Sequence, residues 1–182
     1  MLNIKTIIKK IVPKSFLLQY HRTLSLLGNR FYGSPSKNMI VIGVTGTKGK
    51  TSVANFVWSA LNTTGEKTGI ISTANFRIGD EEQLNTFHMT MPGRFVIPKF
   101  MAKMVKAGCH YCIIEVTSEG LKQWRHAGIE FDVVIFTNLT PEHLPSHEGS
   151  FQKYKEAKSK LFAGLLETPK KKIFGREVPK VI

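Results

Sequence analysis

The sequence is short of acidic residues, cysteines and long apolar runs, and each shortage narrows what the chain can be. Thirteen Asp and Glu residues face 26 Lys and Arg residues, which gives a formal net charge of +13. No acidic residue precedes Glu66, whereas nine Lys or Arg residues lie in that stretch. This excess of positive charge favours the binding of a polyanion, such as a nucleotide, a diphosphate sugar, a nucleic acid or an anionic membrane surface.

Two of these partner classes need features that the sequence lacks. No apolar run approaches the ~20 residues that a membrane-spanning helix requires, so we expect no transmembrane segment. A nucleic-acid-binding protein would set aromatic residues among basic ones on a sheet, or carry a recognition helix. Neither pattern is present. We therefore expect no nucleic-acid partner.

The two cysteines, Cys109 and Cys112, form a Cys-x-x-Cys in or beside a strand-like apolar run. A redox pair of this spacing would stand at a helix start, and a structural zinc site would need a second pair of ligands. Buried, reduced thiols fit the context better. They indicate a protein of the reducing cytoplasm.

A chain of 182 residues can bury one sizeable core and an added terminal segment. Residues 1–37 form a basic helical segment. Within it, isoleucines recur at helical spacing between lysines before Pro13, and a second helix is predicted from Ser15 to Leu27, ending near Gly28. Residues 1–12 could make weak contact with a membrane surface, or the segment could pack against the remainder of the chain. We favour packing.

From residue 38 onward, short apolar runs alternate with helical patterns. This alternation predicts an α/β fold with a mostly parallel sheet and helices on both faces. In such sheets, ligands bind beyond the carboxyl ends of the strands. The predicted strands are Met39–Val44, Lys67–Ser72, His110–Val116 and Val133–Thr137, and the predicted helices lie near Thr51–Leu61, Arg94–Ala107, Glu119–Ala127 and Ser150–Leu166.

A glycine-rich turn joins the first predicted strand to a helix. Gly46 and Gly49 allow the backbone to fold tightly, so that several N–H groups point at one anion. Lys50 would then reach the β- and γ-phosphates, and the Thr51 hydroxyl would hold Mg²⁺. Val44 stands where the usual spacing has its first glycine, and a turn with a solvated lysine is the alternative. The predicted nucleotide-binding residues are Gly46, Thr47, Lys48, Gly49, Lys50, Thr51 and Ser52.

Two further strand ends carry groups that suit a metal site. Glu115 ends the third predicted strand, where a carboxylate can face a nucleotide and take Mg²⁺ directly or through water. Its alternative role, as a charge at the next helix start, is already filled by Glu119. His143 follows the fourth predicted strand and faces the same crevice, which favours a ligand role. His147 is a weaker candidate.

Four ordered motifs together resemble the central domain of the Mur ligases, which are ATP-dependent amide ligases of peptidoglycan synthesis. The motifs are Gly46-Thr-Lys-Gly-Lys-Thr-Ser52, Glu115-Val-Thr-Ser118, Thr137-Asn-Leu-Thr140 with His143, and Tyr154-x-x-x-Lys158-x-x-Leu-Phe162. The chain looks most like the UDP-N-acetylmuramoyl-dipeptide ligases that add the third residue. The resemblance covers residues 38–182, so a partial central ATP-binding domain follows the basic segment.

The resemblance implies a role for each matching residue. Lys50 would bind the γ-phosphate, Thr51 and Glu115 one Mg²⁺, and His143 a second. Lys158 matches a lysine that CO₂ converts to a carbamate, which helps organise the metal site. Asn138 joins the nucleotide-binding set, and the implied contacts to the UDP-muramoyl substrate are Thr90, Met91, Thr117, Gln123 and Arg125.

Several positions depart from the family pattern. Lys48 replaces an Asn or His, Glu142 and Pro145 replace two aspartates, Met91 replaces a Thr, and Glu119 replaces a His. The resemblance begins near residue 38, so we expect this sequence to lack the family's amino-terminal UDP-binding domain and its carboxyl-terminal domain. We therefore expect a fragment that binds nucleotide weakly and ligates little by itself.

The implied reaction uses ATP, Mg²⁺, a UDP-muramoyl peptide and an amino acid. It forms an acyl phosphate on a substrate carboxylate, which the amine then attacks. Two alternatives are a folylpolyglutamate synthase-type ligase and a non-catalytic nucleotide-binding module. A nucleic-acid-stimulated ATPase is the least favoured alternative.

Overall fold

The computed structural model describes residues 13–142 and 144–182, so the amphipathic helix predicted within residues 1–12 and the candidate ligand His143 lie outside the described residues. The helices are α1 (Lys14–Phe31), α2 (Lys50–Thr63), α3 (Val96–Lys106), α4 (Ser118–Lys122) and α5 (Phe151–Glu167), with 3-10 helices at Pro35–Asn38 and Leu144–His147. The strands are β1 (Ile40–Thr45), β2 (Thr68–Ile71), β3 (Asn75–Ile78), β4 (Glu81–Leu84), β5 (Tyr111–Val116), β6 (Val133–Phe136), β7 (Lys172–Ile173) and β8 (Arg176–Glu177).

Six strands form the main sheet in the order β4-β3-β2-β5-β1-β6. The four strands predicted from the sequence are the parallel ones, with β1 between β5 and β6 and with β2 on the far side of β5. Strands β3 and β4 extend the sheet as an antiparallel hairpin. The prediction of a mostly parallel α/β sheet is confirmed.

Alternate residues of the central strands build two apolar layers. Val41 faces a core with residues of α3 and α5, whereas Ile42 and Val44 face a second core with Ala54 of α2. Both faces of the sheet are therefore covered by helices, as parallel strands that are buried on both sides require. The carboxyl ends of β1, β2, β5 and β6 consequently meet at one edge.

Helix α1 packs against the segments that contain Arg94 and Ala127, and it is longer than predicted. Its predicted end near Gly28 is wrong, because the helix continues to Phe31. Gly28 lies inside the helix and lets it approach the chain closely, since a Cβ there would meet the Arg94 carbonyl oxygen at 2.6 Å. The Asn29 side chain then donates to the Ala127 carbonyl at 3.0 Å. No described helix, α1 included, has the length and hydrophobicity needed to cross a membrane.

The helix predicted over Glu119–Ala127 is also wrong in length, because α4 ends at Lys122. Trp124 has a φ of 55°, a left-handed conformation that an α-helix cannot accommodate. Its ring lies between two cations, with Arg22 5.0 Å and Lys160 4.8 Å from the ring centroid. These contacts to α1 and α5 favour the turn over a continued helix.

A buried ionic network secures the amino ends of β1 and β6. Asp132 is fully buried, and its Oδ2 accepts from the Val41 N–H at 2.9 Å and from the Lys171 ammonium at 2.5 Å. Lys180 donates to the other carboxylate oxygen at 3.1 Å. The charges are thus paired where water is excluded, at the end of the sheet opposite the predicted site.

Candidate functional site

The turn after β1 touches the loop that follows β6. Gly46 has a φ of 155°, and a Cβ at this position would lie 1.9 Å from the Thr137 Oγ1. Glycine is therefore required both by the backbone and by the contact. Gly49 has a φ of 77° and forms the N-cap of α2, where a Cβ would meet no atom within 4 Å.

Asn138 holds this turn in place. Its Oδ1 accepts from the backbone N–H of Thr47 at 3.2 Å and of Lys48 at 2.9 Å, and its Nδ2 donates to the Lys48 carbonyl at 3.2 Å. The Thr137 hydroxyl donates to the same carbonyl at 2.7 Å. Asn138, a predicted nucleotide-binding residue, is thus placed to set the shape of residues 46–49, the predicted phosphate-binding turn that we call the phosphate loop.

Thr47 connects the turn to α5. Its hydroxyl lies 2.9 Å from the Tyr154 hydroxyl and accepts from the Thr140 N–H at 3.0 Å. Both Thr47 and Tyr154 are buried. The loop that binds phosphate in the predicted site is therefore fixed from two sides, by the β6 loop and by α5.

Lys50 opens helix α2 at the base of this turn. Its ammonium donates to the Thr47 carbonyl at 2.8 Å, across the loop. Burial lowers the pKa of Lys50, and the nearby Glu115 carboxylate opposes that effect. The ammonium is thus held over the loop, beside the helix N-terminus that favours anions.

An oxygen cluster forms where β5 ends. Glu115 is 2% exposed, and its Oε2 accepts from the Thr51 hydroxyl, the Thr73 hydroxyl and the Thr73 N–H, each at 2.9 Å. Thr51 and Glu115, which the resemblance assigns to one Mg²⁺, therefore contact each other directly. Thr73, which no motif indicated, follows the end of β2, and its hydroxyl lies 2.7 Å from that of Thr90.

The oxygen atoms of this cluster are ligands of the kind that Mg²⁺ requires. Mg²⁺ takes oxygen ligands and usually keeps several waters beside one or two carboxylates and substrate phosphates. Glu115 offers one carboxylate and Thr51 one hydroxyl, next to the phosphate loop. Within residues 13–142 and 144–182, no group of three or more His, Cys, Asp or Glu side chains could hold a metal by itself.

Lys158, which residue chemistry alone did not single out, is buried beneath the phosphate loop. It is 3% exposed and its ammonium donates to the Gly46 carbonyl at 2.7 Å. Burial, together with the charge of Lys50, lowers the pKa of Lys158 to about 8. A buried lysine of this kind titrates close to neutral pH and so becomes nucleophilic.

A cleft of about 290 Å³ collects most of the predicted catalytic and substrate-binding residues. It is lined on one side by the phosphate loop and α5, and on the other by residues 88–91 and the start of α4. The predicted residues that line it are Gly46, Lys50, Thr90, Met91, Thr117, Arg125 and Lys158.

The predicted substrate residues are linked to one another within this region. Gln123 accepts from Arg125 through its amide oxygen, at 3.2 Å from Nε and 2.8 Å from Nη2, and Arg125 also donates to the Met91 carbonyl. The Gln123 amide in turn donates to Glu119 at 2.6 Å. Thr117 caps α4 by accepting from the Gly120 N–H at 3.1 Å. Arg125 is therefore held at the cleft with its guanidinium oriented.

Other predicted residues lie away from the cleft lining. Ser52 is exposed on α2. Lys48 is exposed and pairs with Glu142 at 2.8 Å, an interaction that raises the pKa of Lys48. Two positions that depart from the family pattern thus contact each other. The weaker candidate His147 is buried, with its Nε2 3.0 Å from the Ser118 hydroxyl.

The cysteine prediction agrees with the structure. Cys109 and Cys112 are both free and buried. Burial raises the pKa of each thiol, so neither is a reactive thiolate at neutral pH.

Residues 44–177 match the family model of the Mur ligase middle domain. The chain is 42% identical over 142 residues to the UDP-N-acetylmuramoyl-L-alanyl-D-glutamate--2,6-diaminopimelate ligase of Parabacteroides distasonis, covering 78% of this chain and 29% of the relative. It is 39% identical to the UDP-N-acetylmuramyl-tripeptide synthetase of a Roseiflexus species, covering 79% of this chain and 28% of the relative. The chain therefore spans less than a third of the length of these curated relatives.

Solved structures show the same fold. A UDP-N-acetylmuramoyl-L-alanyl-D-glutamate--2,6-diaminopimelate ligase superposes with a TM-score of 0.62 at 25% identity, over 69% of this chain and 25% of its own. The E. coli FolC complex with DHPP and ADP superposes with a TM-score of 0.58 at 18% identity, over 83% of this chain and 44% of its own. The second likeness shows a shared fold alone.

Proposed function

The chain belongs to the Mur ligase family, and we propose that it supplies the ATP-binding and phosphoryl-transfer site of an ATP-dependent amide ligase acting on a UDP-muramoyl peptide. The observation that carries the proposal is the placement of Lys50 and Lys158 on the lining of one cleft, next to the Thr51–Glu115 contact. These groups come from three separate elements. Their convergence supports a site for a nucleotide and a metal ion.

In the proposed reaction, a substrate carboxylate attacks the γ-phosphorus of ATP and ADP leaves, which gives an acyl phosphate. An amine then attacks the acyl carbon, forms the amide bond and releases phosphate. Lys50 binds the phosphate oxygens on which negative charge develops. Thr51 and Glu115 would hold Mg²⁺, which neutralises charge on the transferring group.

We further propose that CO₂ modifies Lys158. Only the neutral amine reacts with CO₂, and a pKa of about 8 leaves roughly a tenth of Lys158 neutral at pH 7. Burial favours the neutral amine that reacts with CO₂, and the charge of Lys50, which disfavours an ammonium at this position, favours an anionic carbamate there. His143, from the family pattern, remains the candidate for a second metal ion.

The substrate side of the proposal rests on Arg125 and its neighbours. Arg125 lines the cleft with Thr90, Met91 and Thr117, and its guanidinium can pair with a carboxylate or a phosphate of the substrate. Because the Parabacteroides distasonis relative is named for 2,6-diaminopimelate, we propose a diamino acid as the incoming amine. A folylpolyglutamate-type activity is less well supported, because that likeness is one of fold.

The acyl phosphate can be tested directly by trapping it with hydroxylamine. The chain is incubated with ATP, Mg²⁺ and UDP-N-acetylmuramoyl-L-alanyl-D-glutamate, and the hydroxamate is detected by mass spectrometry. We expect a product that requires ATP and disappears in Lys50→Ala. This assay needs no amine-binding region, and a parallel reaction with dihydropteroate tests the folylpolyglutamate alternative.

Each outcome of the trapping experiment has a meaning. A hydroxamate from dihydropteroate but not from the UDP-muramoyl dipeptide would replace the proposed substrate class. ATP binding without hydroxamate from either substrate would show a nucleotide-binding module that does not transfer phosphate. Exposed Lys155 supplies the matched control, because Lys155→Ala removes a lysine of α5 away from the cleft lining.

A further inference from the structure

Helix α1 leaves one of its faces exposed, and that face is apolar. Four large side chains on it, Phe16, Tyr20, Leu27 and Phe31, are each more than half exposed. Each is separated from the next by four or seven residues, so all four fall within about 60° of one another around the helix. They form a stripe along almost the full length of α1, which we call the α1 stripe.

The opposite face of α1 attaches the helix to the domain. Ser25, Gly28 and Asn29 are buried on that face, and the Asn29 side chain donates to a backbone carbonyl of the domain at 3.0 Å. Packing of α1 against the remainder of the chain therefore occupies this face and leaves the α1 stripe exposed. The stripe continues onto the domain through Phe95, whose partly exposed ring lies 6.2 Å from that of Phe31.

The charges on and before α1 indicate what the stripe contacts. A contiguous exposed apolar surface marks a site of interaction with a protein or a membrane. Helix α1 contains no acidic residue, and Arg22 and Arg30 are exposed on it. The sequence before α1 adds Lys5, Lys9 and Lys10, again without an acidic residue. Apolar side chains accompanied only by cations fit the surface of an anionic bilayer, where the rings meet acyl chains and the cations meet lipid phosphates.

The same charges disfavour a second copy of this chain as the partner. A symmetric dimer through the α1 stripe would place the same surface of two chains face to face. Arg22 and Arg30 of the two copies would then approach one another, and α1 has no carboxylate to offset their repulsion. The net charge of +13 adds to this repulsion over longer distances. An anionic lipid surface instead attracts every one of these groups.

We propose that the α1 stripe docks on an anionic lipid bilayer, with the helix axis parallel to the membrane plane. The aromatic rings of Phe16, Tyr20 and Phe31 enter the boundary between headgroups and acyl chains, and the arginines remain at the level of the phosphates. Apolar area and charge act together here, which is the combination that holds a peripheral helix on a membrane. This inference does not depend on the proposed function, because the α1 stripe lies outside the cleft lining.

Co-sedimentation with lipid vesicles tests the proposal. The 182-residue chain is mixed with vesicles of equal parts phosphatidylglycerol and phosphatidylcholine, or of phosphatidylcholine alone. We expect binding to the anionic vesicles to be at least about tenfold stronger and to weaken as salt is added. Phe16→Ser should weaken this binding about fivefold, because the ring no longer transfers from water into the acyl boundary.

Phe56→Ser is the matched control. Phe56 is 72% exposed and Phe16 is 67% exposed, but Phe56 lies on α2, which covers the opposite face of the sheet from α3. Phe56→Ser removes the same side chain and is expected to change vesicle binding less than about twofold. Equal effects of Phe16→Ser and Phe56→Ser, or equal binding to both kinds of vesicle, would overturn the proposal. Thermal unfolding of each variant shows whether the fold is intact.

Leu27→Trp locates the membrane-facing surface even if Phe16→Ser does not fold. Vesicles with brominated acyl chains quench tryptophan fluorescence at short range. We expect stronger quenching in Leu27→Trp than in the unsubstituted chain, whose Trp58 and Trp124 lie outside the α1 stripe. Equal quenching of the two chains would overturn the proposal. A dimer that forms without vesicles and is disrupted by Phe16→Ser would assign the stripe to self-association instead.

Discussion

Replacing Gly46 by alanine tests whether the contact between the phosphate loop and the β6 loop shapes the site. The new Cβ would lie 1.9 Å from the Thr137 Oγ1 and 3.1 Å from backbone atoms of Asn138. The φ of 155° at Gly46 adds a backbone conformation that alanine rarely adopts. We expect both effects to act on the folded state.

The expected magnitude follows from these two effects. An unfavourable backbone conformation costs about 1–3 kcal/mol. Overpacking a rigid contact costs about another 1–3 kcal/mol. We therefore predict that Gly46→Ala lowers the free energy of unfolding by about 2–6 kcal/mol, which most domains of this size survive. ATP affinity should fall as well, because Thr137 and Asn138 hold the carbonyl and N–H of Lys48.

A double-mutant cycle with Thr137→Ala separates the clash from the backbone strain. Thr137→Ala alone loses the hydrogen bond to Lys48 and should cost about 1 kcal/mol. The double variant should be more stable than the sum of the single effects by about 1 kcal/mol or more, because the clashing oxygen is gone. Urea unfolding followed by the fluorescence of Trp58 and Trp124 measures each value.

Gly65 provides the control for backbone strain without a clash. Its φ is 81°, and a Cβ added there would have no atom within 4 Å. Gly65→Ala should therefore destabilise the chain less than Gly46→Ala. Equal losses in the two variants, or strict additivity in the cycle with Thr137→Ala, would show that the Gly46–Thr137 contact does not shape the loop.

Three further predictions concern other parts of the structure. Asp132→Ala should lower the free energy of unfolding by about 3–5 kcal/mol in urea titrations, because it leaves the buried Lys171 unpaired. A loss of stability smaller than that of an exposed variant such as Glu81→Ala would contradict this prediction. Because the pKa of Lys158 is lowered to about 8 from 10.5, the unfolded chain binds more protons between these values, so stability from this residue should rise across pH 8–10.5. Lys158→Met should remove that rise, and persistence of the slope would argue against it. Thr73→Val should weaken Mg²⁺–ATP binding about three- to tenfold in calorimetry, because it deprives Glu115 of a donated hydroxyl, whereas exposed Thr63→Val should leave it unchanged.

The parallel core of the fold could be predicted from the sequence because its strands are buried on both faces. Such strands appear as continuous apolar runs, and β1 and β5 are almost entirely buried. The hairpin of β3 and β4 leaves no such pattern. All four residues of β4 are exposed, so neither burial nor alternation marks Glu81–Leu84 as a strand.

Part of the candidate site could also be predicted, since the rule that ligands bind beyond strand ends is enough to indicate Glu115. The same rule applied to β2 would have found Thr73, which follows Ile71 and Ser72. Lys158 could be found only through family resemblance. Helix α5 carries several lysines, and the sequence does not show which of them is buried. Lys158 is identified by its contact with the Gly46 carbonyl, which is distant in the sequence.

The contacts that no sequence pattern indicates are those between distant segments. Gly28 resembles a helix end because glycine commonly follows one, yet it serves the close approach of α1 to Arg94. Asp132, Lys171 and Lys180 have the pattern of ordinary surface charges, and only the fold brings them together in the interior.

The proposed ATP site is tested most directly by a calorimetric titration of ATP with Mg²⁺ into the 182-residue chain and its Lys50→Ala and Lys155→Ala variants. We expect measurable binding that Lys50→Ala weakens at least about tenfold, because Lys50 binds the phosphates, and that Lys155→Ala leaves unchanged. Equal affinity of the unsubstituted chain and Lys50→Ala for Mg²⁺–ATP would contradict it.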